Sequence, residues 1–127
     1  MFFEIGHDTK ITISYLVCMI VLVNRWFLGK KFNGISIWPF ILIRSKEYKK
    51  DAFFINHEKI HLRQQLELLI IPFYIWYGLE FLIRLAIYKD RYQAYRNISF
   101  EREAYKNEKD LDYLKRRSFW EFVIYFS

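Results

Sequence analysis

The run Asn56-His57-Glu58-Lys59-Ile60-His61 holds the residue types best suited to chemistry in this chain. Residues four apart on a helix share one face about a turn apart, so the imidazoles of His57 and His61 can reach one ion. Glu58, beside the first histidine, can then stand next to the ion's open position and take a proton from a bound water. The flanking residues predict the helix that this geometry needs. Asp51 and Asn56 are candidate caps, and Leu62, Leu66, Leu68 and Leu69 continue an apolar pattern.

A hydrolytic zinc site usually takes three protein ligands and keeps one position for water. His61 is the last histidine in the chain, so the third ligand is either His7 or a carboxylate. Glu101, in Phe100-Glu101-Arg102-Glu103-Ala104-Tyr105, is the strongest candidate. It opens a predicted helix, and Ala104 three residues on leaves room for a facing helix to approach. Tyr105 and Glu108, at i+4 and i+7, share its face and are placed to hold the histidine Nδ1 atoms. Glu103 points to another face. An oxyanion formed during hydrolysis needs a further donor, for which Tyr95, Arg96 and Tyr105 are candidates.

These residues need a scaffold, and 127 residues suffice for one domain, 1–127, with no length for a second. Two prolines and four glycines argue for long helices over a turn-rich β fold. The expected class is therefore mainly α, with one short β edge segment. The hydrophobic fraction is 54% and the aromatic fraction 21%, more apolar surface than so small a core readily hides. The single cysteine, Cys18, lies in an apolar run and excludes an intrachain disulfide.

Residues 11–28 (ITISYLVCMIVLVNRWFL) predict a transmembrane or membrane-anchoring helix, with Arg25 and Trp26 at the interface. Between Arg25 and Lys50 seven basic residues face one acid, Glu47, so a span there puts the site on the cytoplasmic side. The +6 net charge, clustered beside a hydrophobic segment, favours an anionic membrane over nucleic acid. Residues 34–44 (GISIWPFILIR) read as an extended edge segment, demoted from a central strand by Pro39 and able to hold an extended peptide by strand addition.

From Asp51 onward the pattern is helical. Leu68 to Ile83 carries one charge, Glu80. For Glu101 to share an ion with His57, residues 62–88 must fold back as a helical hairpin, at Pro72 or around Gly78. Glu80 and Arg84 then pair at i, i+4. Ser99 is a candidate cap for a helix running to about Arg117, followed by an aromatic amphipathic tail.

His57-Glu58-x-x-His61 followed by Glu101-x-x-Ala104 resembles the gluzincin metallopeptidases, especially the membrane-embedded CAAX-processing proteases and their bacterial heat-shock and β-lactam-sensor relatives. The resemblance implies a zincin-like helical core, Zn2+ held by His57, His61 and Glu101, Glu58 as general base, and a peptide or protein substrate. Tyr105 stands where those families have aspartate. Beyond the two motifs, most of the chain resembles a family of small, functionally uncharacterised Bacteroidetes proteins, which supplies no activity. The expectation is a membrane-associated zinc peptidase. The alternative is a non-catalytic zinc-binding membrane or interaction module.

Overall fold

The computed structural model describes residues 20–24, 28 and 32–127, and it is mainly helical with a small three-stranded sheet. The sheet comprises β1 (Ile20–Val23), β2 (Gly34–Ile37) and β3 (Phe40–Ile43) in the order β1-β3-β2. β1 runs parallel to β3 with Val21 opposite Ile41, and β2 runs antiparallel with Ser36 opposite Ile41. Alternation along β3 buries Ile41 and Ile43 completely, against Leu62, Val21, Tyr48 and Phe54.

Two expectations change here. Residues 20–23 of the predicted membrane helix form a strand, because a short β-branched run pairs with β3 as readily as it helicates. The rest of that stretch, except Asn24 and buried Leu28, lies outside the described residues, as does His7. The orientation deduced from a span at 11–28 therefore loses its ground. Residues 34–44 are likewise not one edge segment but the hairpin of β2 and β3, with Trp38 and Pro39 in its turn. A proline, which lacks an N–H, fits that turn better than a ladder.

Helix α1 (Ala52–Leu68) starts where Asp51 accepts from the backbone N–H groups of Phe53 and Phe54. Its buried face is largely polar: Asn56, His57, Glu58, His61, Gln64 and Gln65 are all inside. Buried polar groups are stable only when partnered, so this helix demands specific neighbours. Gln65 takes two of them from the hairpin, accepting from the Trp38 N–H and donating to the Ser36 carbonyl.

The predicted hairpin within 62–88 does not turn at Pro72 or Gly78. α1 ends at Leu68, Leu69 takes φ 63°, and α2 (Ile70–Tyr88) then runs unbroken. Pro72 lies in the first turn of α2, where an N–H has no helical partner to lose. The chain reverses at Lys89, which is left-handed, and Asp90, which caps α3 (Arg91–Arg96). α4 (Ser99–Asn107) thereby returns Glu101 to α1, the result the predicted hairpin was needed for.

Ser99 is not a cap. Its N–H and hydroxyl both donate to the buried Glu80 carboxylate of α2, at 2.8 and 2.7 Å, so an acid from another helix fills the positive end of α4. Glu80 also pairs with Arg84 at 3.3 Å, as the i, i+4 spacing predicts. α4 stops at Asn107 rather than running to Arg117. A short α5 (Tyr113–Arg116) and a 3-10 turn (Glu121–Tyr125) follow. Phe122 of that turn joins Phe73, Ile98 and Phe100 in one apolar cluster.

Candidate metal centre

Three side-chain atoms meet between α1 and α4. His57 Nε2 and His61 Nε2 are 3.1 Å apart, and Glu101 Oε2 lies 3.3 Å from each. All three residues are buried. Ile60 and Ala104 pack in one buried cluster beside them, the close helix approach that a small residue at 104 allows.

Each histidine has its tautomer fixed from behind. His57 Nδ1 is 2.9 Å from Glu108 Oε2, and an ionised carboxylate only accepts, so the proton sits on Nδ1. His61 Nδ1 is 2.8 Å from Gln64 Oε1. The Gln64 amide cannot flip, because its nitrogen donates to the Phe100 carbonyl and to Glu103 Oε2. Both Nε2 lone pairs are thus directed at the shared point. Glu101 is also held from behind: Tyr77 donates to Oε1 at 2.7 Å, while buried Oε2 makes no hydrogen bond.

Three acceptors facing one another across 3.1–3.3 Å repel unless a cation lies among them. The separations suit a metal ion. Bonds of about 2.0–2.1 Å in a tetrahedral site put neighbouring donor atoms roughly 3.3–3.4 Å apart. In the metal-free protein a proton serves instead. Burial opposes charge on His61, but the Glu101 carboxylate overrides it and raises the pKa to about 9. Burial would push Glu101 up, yet the two histidines hold it well below the usual carboxylate range.

Glu58 is buried on α1, close enough to His61, His57 and Glu101 for their charges to act on it. Burial raises its pKa above the ordinary carboxylate value, against the pull of both histidines, and Glu101 adds to the rise. That makes it a better proton acceptor than a surface glutamate.

Of the predicted supporting residues, Glu108 reaches a histidine Nδ1, whereas the Tyr105 hydroxyl pairs elsewhere. The Tyr105 ring meets His57 edge-on with centroids 4.5 Å apart, and its hydroxyl lies 2.9 Å from the Tyr95 hydroxyl. The Arg96 guanidinium lies over the Tyr105 ring, 3.5 Å from its centroid. Burial and then the Glu101 charge push the Tyr95 hydroxyl upward, so it stays protonated and able to donate. Glu103 does face away from the ion site, but into the protein, where Gln64, Tyr113 and Arg117 surround it.

Sequence reasoning missed Gln64 and Tyr77. Gln64 was discoverable, since it lies one turn beyond His61 on the same face. Tyr77 arrives through a tertiary contact that no local spacing encodes. Asn56 has a different role from the one expected. Its amide donates to the carbonyls of Asn107, Glu108 and Asp110, ending α4 rather than starting α1.

No protein-family model, curated protein or solved structure matches this chain, so the centre is assigned from its own geometry.

Proposed function

We propose that this chain is a zinc-dependent hydrolase acting on peptide bonds, in the manner of the gluzincins that its two motifs resemble. The observation that carries the reading is the convergence of His57 Nε2, His61 Nε2 and Glu101 Oε2 at 3.1–3.3 Å, with a buried glutamate of raised pKa alongside. Two nitrogens and one carboxylate oxygen form a donor set typical of hydrolytic zinc. A bound dication would supply Lewis acidity, lowering the pKa of a coordinated water and polarising a carbonyl.

The residues of the chain divide the remaining work. Glu108 and Gln64 engage the Nδ1 atoms and so keep the Nε2 atoms aimed at the ion. Tyr77 fixes the Glu101 carboxylate. Glu58 receives the proton on its carboxylate and passes it to the leaving amine. The Tyr95–Tyr105 hydroxyl pair, with the Arg96 guanidinium over the Tyr105 ring, would supply a donor to a developing oxyanion.

One observation favours a second reading, a zinc-stabilised module without catalysis. The Ser36 carbonyl on β2, the edge strand expected to hold a peptide, already accepts from Gln65 and Tyr74. Phe54 also lies so close over Gly34 that an added Cβ would meet it at 2.4 Å. Replacing Glu58 with Gln separates the two readings. The hydrolase loses peptide cleavage about 100-fold or more while retaining zinc. Full cleavage by the variant, or no cleavage by zinc-loaded wild type across a mixed-peptide substrate set, excludes the catalytic role.

A further inference from the structure

Helix α2 is patterned inside out. Its two charged residues, Glu80 and Arg84, point inward to Ser99 and to each other. Every exposed residue from Ile71 to Tyr88 is uncharged, including Ile75, Leu79, Leu82, Ile83 and Ile87. A helix facing water carries its charges on that side. Such a continuous outward apolar face marks a surface that belongs against something apolar.

The apolar surface extends beyond the helix. Trp76 packs edge-on against Phe122 and Phe126 of the C-terminal segment, at 5.5 and 6.3 Å between centroids. Phe119, Trp120, Val123 and Ile124 beside them are exposed. At the other end of the face, Lys89 and Arg91 are exposed cations. Tryptophan and tyrosine flanking an aliphatic strip with basic residues at its end match a bilayer interface. A second copy of this chain fits poorly, since each copy carries a net charge of +6.

The helix is long and apolar enough to cross a bilayer, at 19 residues. Its neighbours decide against crossing. α3 runs back along the second half of α2, and Ser99 reaches Glu80 near its middle. A transverse α2 would draw Arg96 and Asn97, which lie back along it on the way to Ser99, into hydrocarbon, which is costly. We propose that the outer face of α2 and the C-terminal aromatic turn form a docking surface that lies in the plane of an anionic lipid bilayer. The inner face of the same helix carries Tyr77, which holds Glu101, so docking sets the metal centre about one helix diameter, ~10 Å, above the lipid. This inference goes beyond the proposed hydrolysis and stands independently of it.

The test is co-sedimentation of the full chain with vesicles of phosphatidylcholine alone or mixed with phosphatidylglycerol. Wild type is expected to bind the anionic vesicles and to be released by an alkaline carbonate wash. Leu79→Glu/Leu82→Glu, at exposed positions, should weaken binding about 10-fold or more with an unchanged far-UV circular dichroism spectrum. Lys89→Gln/Arg91→Gln should weaken binding to anionic vesicles alone, by about 10-fold. Equal binding by the Leu79/Leu82 variant overturns the surface assignment. Equal binding of wild type to both vesicle types overturns the anionic preference, and retention through carbonate overturns the in-plane geometry. A wild-type dimer that ignores vesicles and is split by the Leu79/Leu82 variant assigns the face to a second copy instead.

Discussion

Asn56 and Glu108 are joined through the backbone of one and the side chain of the other. The Asn56 amide donates to the Glu108 carbonyl at 2.9 Å, and the Glu108 carboxylate accepts from the ring of His57, the next residue after Asn56. Two consecutive residues of α1 therefore grip one residue past the end of α4. The loop closes on a donor of the metal centre.

Asn56→Ala should accordingly disturb the candidate metal centre without belonging to it. Three carbonyls, those of Asn107, Glu108 and Asp110, lose their donor together. A loss of about 1–3 kcal/mol in unfolding free energy is expected, read from urea denaturation. Glu108→Gln keeps the shape but replaces the carboxylate, and should weaken zinc affinity roughly 10–100-fold in a chelator competition. Unaltered affinity would show that His57 is oriented by packing on Tyr105 alone.

Glu101 and Glu103 should part company by readout. Glu101→Gln removes a carboxylate donor and is expected to weaken zinc binding about 10-fold or more, with the fold intact. Glu103 is fully buried among Gln64, Tyr113 and Arg117, and Arg117 also bonds Glu67. Breaking that network leaves a buried cation short of a partner, so Glu103→Gln should cost about 3–5 kcal/mol in stability. Its effect on zinc should be the smaller one, transmitted only through Gln64. Paired denaturation and zinc titrations distinguish the two losses.

The metal-free and metal-bound proteins should respond oppositely to pH. In the metal-free chain His61 has its pKa raised from 6.5 to about 9. The folded state then binds the proton more tightly than the unfolded one. The resulting stability is complete below about pH 6.5 and is lost as pH rises through about 9, with a ceiling of roughly 3 kcal/mol. With zinc bound, both histidines must stay unprotonated, so stability should fall as pH drops through about 6.5. Thermal melts between pH 6 and 9, with and without zinc, read both slopes. Parallel slopes would contradict the assignment of His61 to the centre.

Much of the centre was legible because its parts are local. A four-residue spacing set both histidines on one face, Asp51 announced the start of α1, and Glu101 and Glu108 shared a face seven residues apart. The fold was less legible where long-range pairing overrode local preference. Ile20–Val23 is an apolar run compatible with helix or strand, and only β3, some twenty residues later, decides it. The break between α1 and α2 falls on Leu69 at φ 63°, a position that carries no glycine, and Pro72 three residues on marks the start of α2 rather than a turn within it. Nothing local indicated that Tyr77 would cross to Glu101, or that an acid of α2 would cap α4.

X-ray absorption at the zinc edge, on protein loaded with one equivalent of zinc, tests the central claim most directly. A four-coordinate ion is expected, with two imidazole nitrogens and oxygen donors at about 2.0–2.1 Å, the imidazole signal falling by half in His61→Ala. A six-oxygen hydrated ion, or an imidazole signal indifferent to that substitution, would contradict it.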